Sequence, residues 1–496
     1  MSEFFANEDK TPSAVKRLGE LFSSAGYTDV CVAWSDDREM EKCDVSFVQF
    51  EQDVVTLVAR FAVGENAGKK WALYCEDSYL FLVGLMAMLH SDITPVLPMN
   101  IQAGVVDSLS RRVDGFISDV DSLPGSVVLL PLSSGRISHP EILKILRRTT
   151  DFSERIIEIY TSGSTGDPEV VVKKIGQFEE EIMTLECCWG QSLNAYAYVA
   201  TVSHQHIYGL LFRLLWPVCT GRTFFSRRFE FPEDMVVAIK RFVGSKSQNV
   251  VVVSSPAHIK RVSDNAGLTN LGTMAPVTFS SGGPLAFDAN MYYQSITGSR
   301  VTEVFGSSET GGIGFRSIPQ GVSESESNLS WVPFDGVMLS LVDDLLQVKS
   351  KHCVAASDWF QMADKVEILE GGRFMLRGRA DRIAKIEEKR VSLSGVEVLL
   401  LKHDWLSDVK VVVLEGRRQC LGVVACLSAA GDEALELENK RAVVNVLREY
   451  LASVFEPVVL PRKWRFVCAM PINAQGKTVV SDLCSLFDKE EVKHDQ

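Results

Sequence analysis

From about Lys70 onward, short runs of β-branched and aliphatic residues alternate with longer stretches of helical periodicity. Trp71–Tyr74 precedes the apolar segment Tyr79–His90, and Val96–Pro98 follows it. Gly125–Leu132, Ile156–Tyr160, Val250–Ser254 and Val277–Ser280 read as further strands. Strands interleaved with helices predict an α/β fold, a largely parallel sheet covered on both faces. The apolar run Tyr79 to Leu89 is shorter than the roughly 20 residues a membrane-spanning helix needs, so it reads as a buried helix. Ala14–Ala25 reads as a helix near the start of the chain, and the Ser/Glu-rich stretch Ser323–Ser330 as a surface loop.

The texture changes after Arg379. Two strand-like runs, Val409–Leu414 and Leu421–Leu427, lead to an amphipathic helix with Val443, Val444, Leu447, Tyr450 and Leu451 at helical spacing. From Arg382 to the end there are 17 basic and 17 acidic residues, so the net charge of −13 falls entirely on residues 1–381. We expect a large N-terminal unit, residues 1–380, and a small α+β unit, residues 381–496. A chain of 496 residues exceeds what one compact core holds.

The overall balance of 51 basic to 64 acidic side chains disfavours nucleic acid as a partner, because such proteins carry a basic footprint. Eleven cysteines are scattered without a CxxC pair, which removes support for a zinc ribbon or thioredoxin-like site. With no basic-then-apolar leader at the start, reduced thiols in a cytoplasmic protein are expected, without a membrane span.

The most informative segment is Tyr160-Thr161-Ser162-Gly163-Ser164-Thr165-Gly166-Asp167-Pro168. Small hydroxyl residues and glycines after a strand let backbone N–H groups approach an anion closely. Composition alone would also fit an ordinary turn. Other phosphate loops are excluded by inspection. Gly476-Lys477-Thr478 has Pro471 where a Walker A loop needs its first glycine, and GxGxxG is absent. Gly306-Ser307-Ser308-Glu309 continues with Thr310, which breaks a GxSxG nucleophile elbow.

Tyr160–Pro168 resembles the signature loop of the adenylate-forming superfamily, which includes acyl-CoA synthetases, luciferases and peptide-synthetase adenylation domains. Four further segments resemble that family in the right order, so the resemblance covers most of the chain from about residue 70. Ser280-Ser281-Gly282-Gly283-Pro284-Leu285 resembles the adenine-side loop, and Val304-Phe305-Gly306-Ser307-Ser308-Glu309-Thr310-Gly311 the next motif. Asp364 and the segment Arg377–Lys385 follow, and Met470–Lys477 closes the series.

The resemblance implies a large adenylate-forming domain with sheets flanked by helices, and a small mobile C-terminal lid. It implies that Thr161, Ser162, Gly163, Ser164, Thr165 and Gly166 cradle the phosphates of ATP, with Ser281, Gly282, Gly283, Phe305 and Gly306 on the nucleotide. Ser308 would touch the α-phosphate and Glu309 would hold Mg2+, a hard cation suited to carboxylate and phosphate oxygens. Asp364 and Arg379 would hold the ribose, Asp381 would be the hinge, and Arg390 would approach the phosphates in one conformation. Lys477 would be the catalytic lysine, neutralising charge on the carboxylate and the α-phosphate.

Ser203-His204-Gln205-His206-Ile207-Tyr208-Gly209 resembles an aromatic motif bordering the acyl pocket, with His204 as the aligned aromatic and Tyr208 and Gly209 beside it. The His-x-His spacing of His204 and His206 would also suit a metal, but no third ligand is apparent, and a packed or pocket-lining histidine is the favoured reading. The expected activity is ATP-dependent conversion of an aryl or medium-chain acid to an acyl-adenylate, then transfer to a phosphopantetheine thiol. Two departures bear on the acceptor and the loop. Glu169 replaces the common lysine after Gly-x-Pro, and Glu388 stands where a glycine helps line the thiol tunnel in CoA ligases. The chain therefore resembles stand-alone bacterial ligases of polyene-pigment or fatty-acyl pathways that load an acyl carrier protein. Free CoA as acceptor is the alternative, and a non-catalytic nucleotide-binding regulator is the rival from another class.

Overall fold

The computed structural model describes residues 15–23, 30–35, 44–62, 68–98, 100–120, 123, 126–128, 139–162, 168–262, 267–323, 329–355, 358–386, 389–414, 419–452, 454–455, 457–473 and 478–488. Two sheets dominate. Six strands are ordered Ser126–Val128, Gly115–Ser118, Lys70–Tyr74, Thr94–Leu97, Ile156–Ser162 and Pro168–Lys174; they pair parallel except for the last two, which form an antiparallel hairpin. The second sheet has nine strands. At its centre Arg300–Ser307, Val277–Ser280, Val250–Ser254, Ala197–Ala200, Phe224–Arg228 and Cys31–Trp34 run parallel. Antiparallel strands close both of its edges. The α/β expectation therefore holds, and Val250–Ser254 and Val277–Ser280 are strands with the bounds predicted.

Between the sheets lies the helix Ser78–His90, with every residue from Ser78 to Leu89 buried. A helix apolar on all sides is stable only inside a layered core, where each face meets another element. It packs in one cluster with Phe178, Ile182 and Leu185 of the helix Ile175–Trp189. Asp77 starts the buried helix, its carboxylate accepting from the amides of Tyr79 (2.8 Å) and Leu80 (3.0 Å).

The helix expected over Ala14–Ala25 is not formed in its described part, which holds a single 3₁₀ turn, Leu18–Glu20. Its polar groups bond across the fold instead of along a helix. The Lys16 amide donates to the Cys219 carbonyl, the Leu18 amide to Glu179, and the Gly19 carbonyl accepts from Thr150. Burial of Leu18, Leu21 and Phe22 in the central cluster overrides the local helical spacing.

A four-stranded antiparallel sheet, Met338–Val342, Leu345–Lys349, Phe360–Ile368 and Phe374–Arg379, leads to the C-terminal elements. There Leu406–Leu414, Cys420–Leu427 and Lys463–Phe466 form a three-stranded sheet covered by the helix Lys440–Ala452, which buries Val443, Leu447 and Leu451. The apolar clusters of residues 384–487 share no member with those of residues 15–376. No helix among the described residues is long and apolar enough to cross a membrane.

Candidate active site

The segment expected to cradle the phosphates connects the two arms of a β-hairpin, Ile156–Ser162 and Pro168–Lys174. The arms pair from Ile156↔Lys174 to Ser162↔Pro168, and Thr161 Oγ donates to the Glu169 carbonyl at 3.3 Å. Gly163, Ser164, Thr165 and Gly166 lie outside the described residues. The returning arm runs directly into the helix Ile175–Trp189.

Glu309 sits in a second hairpin turn, between Arg300–Ser307 and Gly311–Ser317. Three local features fix this turn. The Ser307 amide donates to Thr310 Oγ1 at 3.0 Å, and the Thr310 amide donates to Ser307 Oγ at 3.2 Å. A side chain on Gly306 would begin 2.2 Å from the Gly311 carbonyl oxygen. Gly311 itself has φ +66°, the left-handed region that glycine adopts without steric cost. The Val354 amide donates to the Glu309 carbonyl at 2.8 Å.

Ser281, Gly282 and Gly283 follow the strand Val277–Ser280, and Ser281 Oγ donates to the Val304 carbonyl at 2.8 Å, beside Phe305. That bond joins the predicted adenine-side loop to the Glu309 motif. Phe305 packs on Trp331 and Phe374, ring centroids 5.6 and 5.9 Å away. Asp364 and Arg379 are paired residues of neighbouring strands, with an ion pair of 3.1 Å. Asp381 falls in the 3₁₀ turn Ala380–Arg382 that follows at once, and Arg390 lies in the strand Lys389–Ser392. Lys477 lies outside the described residues.

His204 belongs to the core. It is 2% exposed, with Nε2 2.9 Å from the Cys75 carbonyl and Nδ1 3.1 Å from Ser78 Oγ, and its ring lies 4.6 Å from that of Phe81. Burial, aided by the Arg213 guanidinium, holds the imidazole far below its usual pKa and therefore neutral. Both ring nitrogens are occupied within the protein. Gly209 packs against backbone, since a Cβ there would meet the Ser203 carbonyl oxygen at 2.0 Å. Tyr208 presents a buried hydroxyl beside the Ser254 backbone.

Sequence reasoning gave no role to a set of buried polar groups linking the two hairpins. Lys173 Nζ donates to the His352 carbonyl at 2.7 Å, and His352 Nε2 is 2.8 Å from the Gly312 carbonyl. The Gly312 amide donates to Glu181 Oε1 at 2.7 Å, and Gln177 Nε2 donates to the Cys353 carbonyl at 2.5 Å. Gln177 and Glu181 stand one turn apart on the helix after the phosphate hairpin, an i,i+4 spacing. That spacing was the available signal.

No group of three or more potential metal ligands occurs among the described residues. A lone carboxylate at Glu309 still fits magnesium delivered with a nucleotide, because this ion keeps waters and phosphate oxygens and needs only one or two protein carboxylates.

The AMP-binding enzyme family matches residues 149–353, which run from the phosphate hairpin to the loop carrying His352. Malpinin synthetase of Mortierella alpina is 23% identical over 474 residues, covering 84% of this chain but 6% of that protein. A probable CoA ligase of Humulus lupulus is 20% identical over 362 residues, covering 66% of this chain and 63% of its own length. The chain thus spans less than two thirds of either relative. The ATP-bound structure of MatB from Rhodopseudomonas palustris has the same fold, with a TM-score of 0.73, 14% identity, and coverage of 96% of this chain and 99% of that one. An AMP-binding enzyme match at residues 149–353, five motifs in order and this fold along nearly its whole length make the chain similar to the adenylate-forming superfamily.

Proposed function

We propose that the protein activates a carboxylic acid with ATP and passes the acyl group to the phosphopantetheine thiol of an acyl carrier protein. A carboxylate oxygen of the acid attacks the α-phosphorus and pyrophosphate leaves, giving an acyl-adenylate. The thiol sulfur then attacks the acyl carbon and AMP departs. The first step must bring two anions together, and this is its main electrostatic cost. Bound magnesium would lower that repulsion by drawing charge from the phosphate oxygens. The chain's own share is to hold Glu309 at a rigid hairpin tip and orient the phosphates with Thr161–Gly166 and Ser308. It would keep the ribose on Asp364 and Arg379, and place the Lys477 ammonium against the developing charge.

The observation that carries this reading is the direct coupling of the phosphate hairpin to the Glu309 hairpin through Lys173, His352 and Gly312. The probable CoA ligase from hop favours a second reading, with free CoA as the acceptor. Glu388, the residue weighed against that acceptor, lies outside the described residues.

Pyrophosphate exchange into ATP across a panel of aryl and medium-chain acids tests the first step. At least one acid should support exchange, and Lys477→Ala should slow it about 100-fold, the usual cost of losing a charge stabiliser at the reacting group. Exchange with no acid would leave the nucleotide-binding regulator. Thioester formation on a carrier protein, compared with that on CoA, decides the acceptor.

A further inference from the structure

Lys173 is among the largest fully buried side chains, at 0% exposure. Burying an ammonium carries a desolvation cost of several kcal/mol that an aliphatic side chain of the same length would avoid. Its surroundings offset this in part. The ammonium donates to the His352 carbonyl and lies 5.6 Å from the centre of the Phe178 ring. The carboxylates of Glu181 and, more weakly, Glu309 favour its charge, although burial still lowers its pKa. Glu181 is buried as well. One of its oxygens takes the Gly312 amide; the other has no hydrogen-bond partner and would sit 2.5 Å from a Cβ on Gly311. The two groups hold the strand that leaves the Glu309 turn at a single residue, Gly312. Glu181 holds the amide of Gly312, while Lys173 holds, through His352, its carbonyl. Both come from one continuous segment, the returning arm of the phosphate hairpin and the helix after it.

We propose that Lys173 and Glu181 are positioning residues, a buried clasp that fixes the Glu309 carboxylate relative to the phosphate hairpin and so sets the affinity for a metal–nucleotide pair. This inference rests on the ligase reading, in which Glu309 meets the metal. Neither residue touches the ion. Groups that orient a metal-binding side chain from behind typically change metal affinity about 10- to 100-fold when removed.

The test is Mn2+ uptake in the presence of α,β-methylene-ATP, followed by the electron paramagnetic resonance signal of the free ion. It needs no knowledge of the acid. Lys173→Met keeps the volume but leaves the buried Glu181 carboxylate without its neighbouring charge, so its melting temperature should fall while the circular dichroism keeps the folded spectrum. Its Mn2+ dissociation constant should rise about 10-fold or more. Glu181→Leu should behave alike, whereas Glu181→Gln, which retains an acceptor for the Gly312 amide, should stay within about threefold of the unaltered protein. A Lys173→Met protein that binds Mn2+ within about twofold of the unaltered one, against the 10-fold expected of such a group, overturns the clasp. If that variant does not fold, equal affinities for Glu181→Leu and Glu181→Gln overturn it. Failure of the unaltered protein to take up Mn2+ with the nucleotide would instead bring down the ligase reading beneath it.

Discussion

His90 lies with its ring 4.9 Å from Phe152 and 5.8 Å from Phe22, and its Nε2 is buried without a partner. Burial, assisted by the nearby Arg155, lowers its pKa from 6.5 to about 4. His258, buried near Arg261, is also brought down to about 4. Between those values the unfolded chain binds more protons than the folded one, so stability rises with pH across this window. Urea midpoints should therefore fall as pH drops from 6.5 toward 4, and His90→Leu combined with His258→Gln should flatten the slope. An unchanged slope in the double variant would contradict these assignments. Lys173 shows how much of such detail the sequence holds. In the strand Pro168–Lys174 the alternation of faces is readable, yet its polarity is inverted. Val170 and Val172 are 37% and 45% exposed while Lys173 points inward. What reverses the pattern is a carbonyl 179 residues away, and no local period encodes that partner. His204 teaches the same lesson in the opposite sense. Motif order located its segment, but only the packing of Cys75, Ser78 and Phe81 around it reveals a core residue.

Among the elements, the buried helix Ser78–His90 was legible because eleven successive apolar residues leave no polar face. Its first turn depends on the Asp77 carboxylate bonds to Tyr79 and Leu80. Asp77→Ala should lower unfolding stability by about 1 kcal/mol in urea titrations, the usual cost of an N-cap, without altering the folded circular dichroism. A change below about 0.3 kcal/mol would mean that packing alone holds the helix start, well under the range for such caps. The predicted helix at Ala14–Ala25 failed for a related reason. Its apolar spacing was real, but the amide of Leu18 and the carbonyl of Gly19 go to Glu179 and Thr150, and sequence spacing cannot foresee such long-range partners. Strands with several neighbours, such as Val250–Ser254, are set by β-branched runs and were read with their correct ends.

For the whole molecule, the separate apolar clusters on either side of residues 376–384 support the proposed division at Asp381. Lys260 and Asp408 approach at 3.4 Å across that division, a partly exposed ion pair of the kind that contributes about 1 kcal/mol or less. Calorimetry should then resolve two unfolding transitions, the smaller from residues 381–496. One transition with matching calorimetric and van't Hoff enthalpies would argue for a single cooperative unit. The proposed boundary rests on the charge distribution and motif order, whereas the Lys260–Asp408 contact has no signal in the sequence. One consequence follows from the register of Asp364 opposite Arg379. Both side chains that would grip the sugar are stitched into adjoining strands, and the 3₁₀ turn Ala380–Arg382 begins only one position later. A lobe swivelling at that turn would carry Arg390 away but leave the ribose anchored, so an adenylate could change its chemical neighbours between half-reactions without being let go.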